Sequence, residues 1–277
     1  METRELRYFV AVAEELHFGR AAERLGMTQP PLSRTIARLE RRLGVALFER
    51  TSRSVTLTGP GTVLLAEGRQ ILGAVAAAER RARQAATGGA GLVLGAKAGG
   101  SGDLVRKLLD AYAAEPGAVP VEVRLCEAQP QVLLHRGEAD VALLHEPYES
   151  TAGLDTEVLR SEGQIVVLPS AHPLAGRAEV RLAEIAATPD PPLARWPGVD
   201  GYAEGPGVEV HSLTQLYEMI ELGRAASILP ESCRADLRDG VVAVPVVDAS
   251  AVTTVIAWPP HSRSTAVADL IRTASRL

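Results

Sequence analysis

Residues 18–43 carry the pattern that most restricts the fold of this chain: a short apolar helix, a glycine, and a longer helix opening on two prolines. Phe18-Gly19-Arg20-Ala21-Ala22-Glu23-Arg24-Leu25 is a helical run whose paired alanines let another helix come close. Gly26 follows where a tight turn needs a permissive residue. Thr28 stands where it can cap a helix predicted over 29–43, and Gln29, Pro30 and Pro31 fill its first turn, where backbone N–H groups lack intrahelical partners and proline costs little. At about 100° per residue, Leu32, Ile36, Leu39 and Leu43 gather on one side and Pro30, Pro31, Arg34, Arg38 and Arg41 on the other. Apolar support behind, with charge and donors in front, is what reading a DNA major groove requires. An ordinary helical bundle with a solvated basic face has the same pattern.

The flanks narrow the choice. Leu6, Phe9, Val10, Ala13 and Leu16 recur at helical spacing and predict a first amphipathic helix. After Leu43-Gly44-Val45-Ala46-Leu47-Phe48-Glu49-Arg50, the alternation of Val55 and Leu57 predicts a small β-wing carrying Arg50 and Arg53, placed to hold phosphates or enter a minor groove. Charge divides in the same way. Residues 1–57 hold 10 Arg against 7 Glu, a balance of +3, within a chain whose net charge is −5, so a small basic head sits on an acidic body.

Thr58-Gly59-Pro60-Gly61 then starts a helix predicted to run to about Ala86, with Leu64, Ile71, Leu72, Val75, Ala78 and Ala82 as its apolar stripe. Such a helix spans about 40 Å, too long to bury the stripe on one small head, and a partner helix is its natural cover, with packing against the chain's own body as the other reading. Gly88, Gly89 and Gly91 mark a hinge. Beyond it, strands alternate with helical patterns: Leu92–Gly95, 103–114, Val121–Leu125, 131–137 and Ala139–Leu144, an order that argues for parallel βαβ units. A second set follows at Ile165–Leu168, Val180–Ala186, Val208–Val210, Leu213–Leu222, Ala226–Leu229 and Val241–Val244, and then Val252–Trp258 and a last helix at 265–276.

Catalytic constellations are missing from the sequence. The run Gly95-Ala-Lys-Ala-Gly-Gly-Ser101-Gly lacks the lysine of a P-loop and does not fit GxGxxG, His145-Glu146-Pro147 is not HExxH, and no Gly-x-Ser-x-Gly elbow occurs. The run reads either as a binding loop whose N–H groups and Ser101 hydroxyl could cradle an anion or, on the residues alone, as a plain structural turn. Cys126 and Cys233 lie far apart without CxxC spacing, so neither a metal site nor a disulfide framework is expected, and both read as small buried hydrophobes. No cofactor is implied. No apolar run approaches a membrane span and the N-terminus lacks a signal-peptide pattern, so a cytoplasmic protein is expected.

The string from Leu6 to Thr58, with Phe-x-x-Val-Ala-Glu, Ala-Ala-Glu-Arg-Leu, Thr-Gln-Pro-Pro-Leu-Ser-Arg, Ile-x-x-Leu-Glu, Leu-Gly-x-x-Leu-Phe-Glu-Arg and Leu-Thr-x-x-Gly, closely resembles the LysR-type transcriptional regulators, here with a short, actinobacterial-like effector domain. The resemblance implies a winged helix-turn-helix over residues 1–58, a linker and dimerisation helix over 59–87, and over 88–277 a two-lobed α/β effector domain like a periplasmic binding protein. It implies a homodimer or homotetramer on an inverted-repeat operator in double-stranded DNA, and a small-molecule effector between the lobes. Gln29, Pro30, Ser33, Arg34, Arg50 and Arg53 fall at positions that meet DNA, and the same outer face adds Thr28, Pro31 and Arg38. Gly99, Gly100, Ser101, Gly102 and Gln129 fall on first-lobe loops that line the cleft, and His211 and Ser212 are the second-lobe counterparts. The chain departs from the family between His172-Pro173-Leu174-Ala175 and Val208-Glu209-Val210-His211-Ser212. There the usual strand and helix shrink by about twenty residues into a Pro/Gly-rich passage holding Trp196, so one cleft wall is expected to be missing or rebuilt, with Trp196 either closing it or buried in the core.

Overall fold

A computed structural model describes residues 1–51, 54–86, 91–99, 102–127, 129–198, 201–202 and 204–277. Arg53, Gly88, Gly89, Gly100 and Ser101 lie outside the described residues. The chain divides into two units, residues 1–87 with 135–138 and residues 88–134 with 139–277.

The first unit opens with helices α1 (Thr3–Glu15), α2 (Phe18–Arg24) and α3 (Gln29–Leu43), a hairpin of β1 (Phe48–Arg50) and β2 (Val55–Leu57), and helix α4 (Gly59–Ala86). Ala21 and Ala22 are fully buried at the helix contacts, and Gly26 takes φ +65°. The chain has only three phenylalanines. All of them meet in this small core: Phe48 sits 5.4 Å from Phe9 and 5.9 Å edge-on to Phe18, and Leu32, Ile36 and Leu39 close the cluster from α3. Two expectations for α3 need correcting. Leu43 is exposed, because it is the last helical residue and the chain turns away at Gly44, φ +73°. Thr28 occupies the N-cap but its side chain makes no capping bond. A cap bonds the N–H of the second or third helical residue, and those are Pro30 and Pro31, which have none.

The apolar stripe of α4 splits. Leu64, Leu65 and Leu72 pack on the head core, whereas Val63, Ile71, Ala78 and Ala82 are exposed in the single chain.

The second unit holds β3 (Leu92–Lys97), α5 (Gly102–Ala113), β4 (Val121–Cys126), α6 (Pro130–His135), β5 (Val141–Glu146), β6 (Asp155–Glu162), β7 (Gln164–Pro169), α7 (Leu182–Ala187), the two-residue strands β8 (Pro197–Gly198) and β9 (Gly201–Tyr202), α8 (Leu213–Glu221), β10 (Ser227–Pro230), β11 (Val241–Val246), β12 (Val252–Trp258) and α9 (Thr265–Ala274). One lobe is a five-stranded sheet, β4-β3-β5-β12-β6, in which β4, β3, β5 and β6 run in one direction and β12, between β5 and β6, runs antiparallel to both neighbours. Helices α5 and α9 cover one face through Leu108, Tyr112, Val267 and Leu270, and Leu134 with Ala139 packs on the other. The second lobe is an antiparallel sheet, β10-β7-β11. The chain leaves the first sheet after β6 and returns to it at β12, which is the two-lobed α/β arrangement.

The stretch read as Val180–Ala186 resolves into a single bridge from Val180 to Val246 and then α7. The shortened passage does rebuild a wall. Ala194 N–H donates to Ala226 O at 2.8 Å, which joins the passage to the start of β10, and Arg195 N–H donates to Val208 O at 2.9 Å, which pairs the passage with the segment before α8. Arg195 fastens the passage further through Nε to Gly207 O at 2.8 Å and Nη2 to Glu209 at 2.9 Å.

Candidate functional site

On the head, α3 and its N-cap present Thr28, Gln29, Pro30 and Arg34 exposed, with Pro31 and Ser33 half-buried beside them. The arginines of this surface fall into two groups. Arg34 and Arg41 make no hydrogen bond or ion pair among the described residues and, seven positions apart, share one side of the helix. Arg38 and Arg42 are held from behind. The buried Glu5 carboxylate accepts two bonds from Arg42, at 3.1 and 2.6 Å, and lies 3.5 Å from Arg38. The Arg42 bonds first, and then the Glu2 N–H, pull the Glu5 carboxyl down from 4.5 to about 2.

Arg50, on the wing, is likewise committed. Its Nη2 lies 2.9 Å from Glu40 Oε2 and its guanidinium sits 4.6 Å above the Phe18 ring. Glu40 is the residue that the sequence reading passed over. Its other oxygen accepts the Leu47 N–H at 2.9 Å and the Phe48 N–H at 3.2 Å, so a single carboxylate on α3 sets the position of the wing. The Leu-Thr-x-x-Gly string closes the same joint. Thr58 Oγ1 accepts the Gly61 N–H at 3.0 Å and donates to Ala46 O at 2.7 Å. A Cβ on Gly61 would fall 2.1 Å from Leu47 O.

In the second unit a cavity of about 270 Å³ opens between the two sheets. Lys97, Gln129, His145, Tyr148 and Glu149 line it from the first lobe, and Trp196, Pro197, Leu213, Ile228, Leu229, Pro230 and Cys233 from the second. The parallel pairing of β3 with β5 brings Lys97 and His145, near the ends of these strands, to one mouth, where open α/β sheets place their ligands. Glu149 is buried, 5% exposed. Its Oε2 accepts the His145 N–H at 2.5 Å and lies 3.3 Å from His145 Nδ1, and its Oε1 lies 3.7 Å from Lys97 Nζ. Lys97 Nζ also sits 4.8 Å over the Trp196 ring. Trp196 packs on the second-lobe core and faces the cavity at once, and its indole N–H points to Ser227 Oγ at 3.5 Å. Burial, followed by Glu162 and Asp236, pushes the Cys233 thiol up to about 12, so it is an inert wall. Cys126 is half-buried at the end of β4.

Of the cleft residues read from the sequence, Gln129 and Trp196 line this cavity. Gly99 takes φ +77° against Leu213, and Gly102 begins α5. Gly100 and Ser101 lie outside the described residues. His211 and Ser212 are not among the lining residues. His211 is exposed and bonded to Tyr202 Oη at 2.6 Å, and the Ser212 hydroxyl caps α8 by accepting the Gln215 N–H at 3.2 Å. In the sequence Lys97 and His145 stand only in a glycine loop and in a failed HExxH match, and Tyr148 and Glu149 belong to no motif, although strand ends in a predicted parallel sheet mark where to look. Among the described residues no group of three His, Cys, Asp or Glu is placed to hold a metal, and no helix is long and apolar enough to cross a membrane.

Two family signatures cover nearly the whole chain: "Bacterial regulatory helix-turn-helix protein, lysR family" over residues 3–62 and "LysR substrate binding domain" over residues 89–276. The regulator IlvR of Caulobacter vibrioides is 35% identical, across 98% of this chain and 97% of its own length. YnfL of Escherichia coli is 34% identical, with the same coverage. AlsR of Bacillus subtilis is 37% identical over 71% of this chain and 66% of its own length. Full-length OxyR from Pseudomonas aeruginosa superposes with a TM-score of 0.54 at 26% identity, covering 99% of both chains. CbnR, a LysR family regulator also solved with its target DNA, has the same fold, with a TM-score of 0.56 at 24% identity over 100% of this chain and 99% of its own. The relatives are transcriptional regulators and not enzymes, and this chain belongs to the LysR family of DNA-binding transcriptional regulators.

Proposed function

We propose that this protein is a sequence-specific regulator whose operator affinity is set by a small molecule held in the cavity between the two effector lobes. It acts in the cytoplasm as a homodimer or homotetramer on an inverted-repeat operator. DNA is met by the α3 face from Thr28 to Arg34 with Arg38, and by the wing with Arg50 and Arg53. The observation that carries the effector reading is the cavity itself: a mostly apolar chamber with a few convergent polar groups, Lys97, Gln129 and Tyr148. The exposed Ile71 side of α4 supports the assembly, since a second copy of the helix would cover it.

An effector acts only through unequal affinity for two arrangements of the oligomer, so a true effector shifts operator affinity and the operator shifts effector affinity by the same factor. The test maps chromosomal binding sites, screens metabolites of the adjacent operons by thermal shift, and measures each hit's effect on the DNA footprint. At least one hit that alters the footprint is expected. A chemically broad screen without a hit, together with a cavity filled by the protein's own side chains in a crystal, would overturn the effector reading in favour of a purely oligomeric repressor.

A further inference from the structure

We propose, building on that effector reading, that Arg195 is the positioning residue of the rebuilt cavity wall, and that through Trp196 it sets which ligands the cavity admits. Among its described residues the passage from 193 to 210 forms two-residue strands and no helix, so individual bonds and side chains must hold it. Arg195 supplies most of them. It engages four consecutive residues of the returning chain: its N–H donates to Val208 O at 2.9 Å, its carbonyl accepts the Val210 N–H at 3.0 Å, its Nε donates to Gly207 O at 2.8 Å, and its Nη2 lies 2.9 Å from Glu209 Oε1. The two main chains also touch. A Cβ on Gly207 would fall 1.8 Å from Leu193 O and 2.8 Å from the Leu193 carbonyl carbon, so only glycine fits there.

These bonds bracket the indole. Arg195 precedes Trp196, and after it Pro197 pairs with Tyr202, whose Oη is bonded to His211 Nδ1 at 2.6 Å. The segment 207–211 therefore grips the chain on both sides of Trp196, which packs on the second-lobe core beside Val208 and faces the cavity as well. The two side-chain bonds of Arg195 are unequal. Glu209 is exposed, so water screens its pairing with the guanidinium, whereas the bond to the carbonyl of the buried Gly207 is the firmer fastening. One planar group makes both bonds at once, which a lysine ammonium does not reproduce. Among the described residues Arg195 does not line the cavity, so it acts on a ligand through the wall that it places. The fastening is polar and separate from the packed face of the β10-β7-β11 sheet, so untying it should free the indole and leave the lobe folded.

The test uses the full-length protein with Trp258→Phe, a change at the half-buried end of β12 that leaves Trp196 as the one indole. Acrylamide quenching of its emission reports how firmly the wall is placed, and circular dichroism and the thermal midpoint report the fold. Arg195→Met keeps the stem and removes the donors; Gly207→Ala forces the chains apart without touching a charge. Each should raise the quenching constant about threefold or more and shift the emission to the red, with the thermal midpoint held within about 4 °C. Arg195→Lys should fall between wild type and Arg195→Met, and Glu209→Gln should match wild type. Gly223 takes φ +67° with open space where a Cβ would stand, so Gly223→Ala carries backbone strain alone and should leave the quenching unchanged. Unchanged quenching in a folded Arg195→Met or Gly207→Ala, or an equal rise in Gly223→Ala, would overturn the proposal. Loss of the fold in Arg195→Met would overturn it too, since Arg195 would then belong to the core of the lobe. Metabolites found by the screen should bind Arg195→Met about tenfold more weakly or in a changed order of preference. Unaltered affinities beside a freed indole would remove selection from Arg195 and leave the effector reading in place. A screen without a hit would overturn the effector reading, and the selection with it, while quenching still decided what holds the wall.

Discussion

Removing the Glu40 carboxylate should loosen the wing by about 2–4 kcal/mol without unfolding the head. In the structure this one group accepts the Leu47 N–H at 2.9 Å, the Phe48 N–H at 3.2 Å and a bond from Arg50 at 2.9 Å. A hydrogen bond to a charged acceptor contributes about 1.5–3 kcal/mol, so two amides at the low end give about 3 kcal/mol. The Arg50 pair adds at most about 1 kcal/mol, because its guanidinium is 36% exposed and water screens it. Alanine is favoured over glutamate in a helix by a few tenths of a kcal/mol, and water reaching the freed amides offsets part of the loss. In Glu40→Gln the amide oxygen still accepts both N–H groups but without charge assistance, so its cost should be about half that of Glu40→Ala. Amide exchange of Leu47 and Phe48 in the full-length protein reads this locally: about 30-fold faster exchange or more in the alanine variant, and an intermediate rate in the glutamine variant. Exchange in Glu40→Ala within threefold of wild type, or glutamine as damaging as alanine, would show that this carboxylate does not hold the wing.

Gly61→Ala should cost more than about 2 kcal/mol and shift the wing, because the added methyl group meets the Leu47 carbonyl at 2.1 Å; an unchanged melting curve and operator affinity would contradict this. Ile71→Glu should dissociate the oligomer in sedimentation, since a second copy that covers this exposed isoleucine would have to bury an unpaired carboxylate; an unaltered mass would place the interface elsewhere. Arg34→Ala should cost about 1–3 kcal/mol in operator binding and blur base preference, whereas Arg41→Ala should weaken all sequences alike and reduce the salt slope by about 1. The same loss on operator and random DNA for Arg34→Ala would assign that arginine to backbone contact. Glu5, depressed to about 2, stabilises the head fully above about pH 4.5, and that contribution is lost as pH falls from there through about 2. Glu5→Gln should flatten this part of the acid-unfolding profile, and an unchanged profile would remove Glu5 from it.

What was legible in the sequence was local. Leu32, Ile36 and Leu39 announce α3 because one helix face must be apolar over its whole length, and Gly26 announces its turn because a tight turn needs positive φ. The misreadings came from contacts that periodicity does not encode. Leu43 has the right phase but lies at the helix end, and Thr28 has the right chemistry but faces two prolines. Strand β6 went unread because Asp155, Thr156 and Glu157 carry no apolar alternation; it is an edge strand held by pairing with β12. The cavity was legible only in part. Gln129 could be placed by comparison with a family pattern and Trp196 only flagged where the chain departs from it, whereas Lys97, His145 and Glu149 converge only because β3 and β5 pair in parallel, a relation between residues about fifty positions apart.

The distribution of charge on the head gives the division of labour its physical basis. Ten arginines on about fifty residues would repel one another, and the glutamates answer selectively. Glu5 takes Arg42 and Arg38, Glu14 and Glu15 take Arg20, Arg24 and Arg69, and Glu40 takes Arg50. Each of these pairs ties one element to another: α1 to α3, α1 to α2 and α4, and α3 to the wing. The paired arginines therefore serve mainly to fix geometry, and their field at a distance is largely cancelled. On α3 this leaves Arg34 and Arg41, on the outer side of the helix, as the cations whose field is not locally offset. A net charge of +3 on the head thus understates its directionality. The carboxylates sit behind α3 and at its joint with the wing, so the positive potential points outward from the face that also carries Thr28, Gln29 and Pro30. An acidic body then opposes non-specific attachment elsewhere on the chain, which is what the proposed reading of DNA from this one face requires.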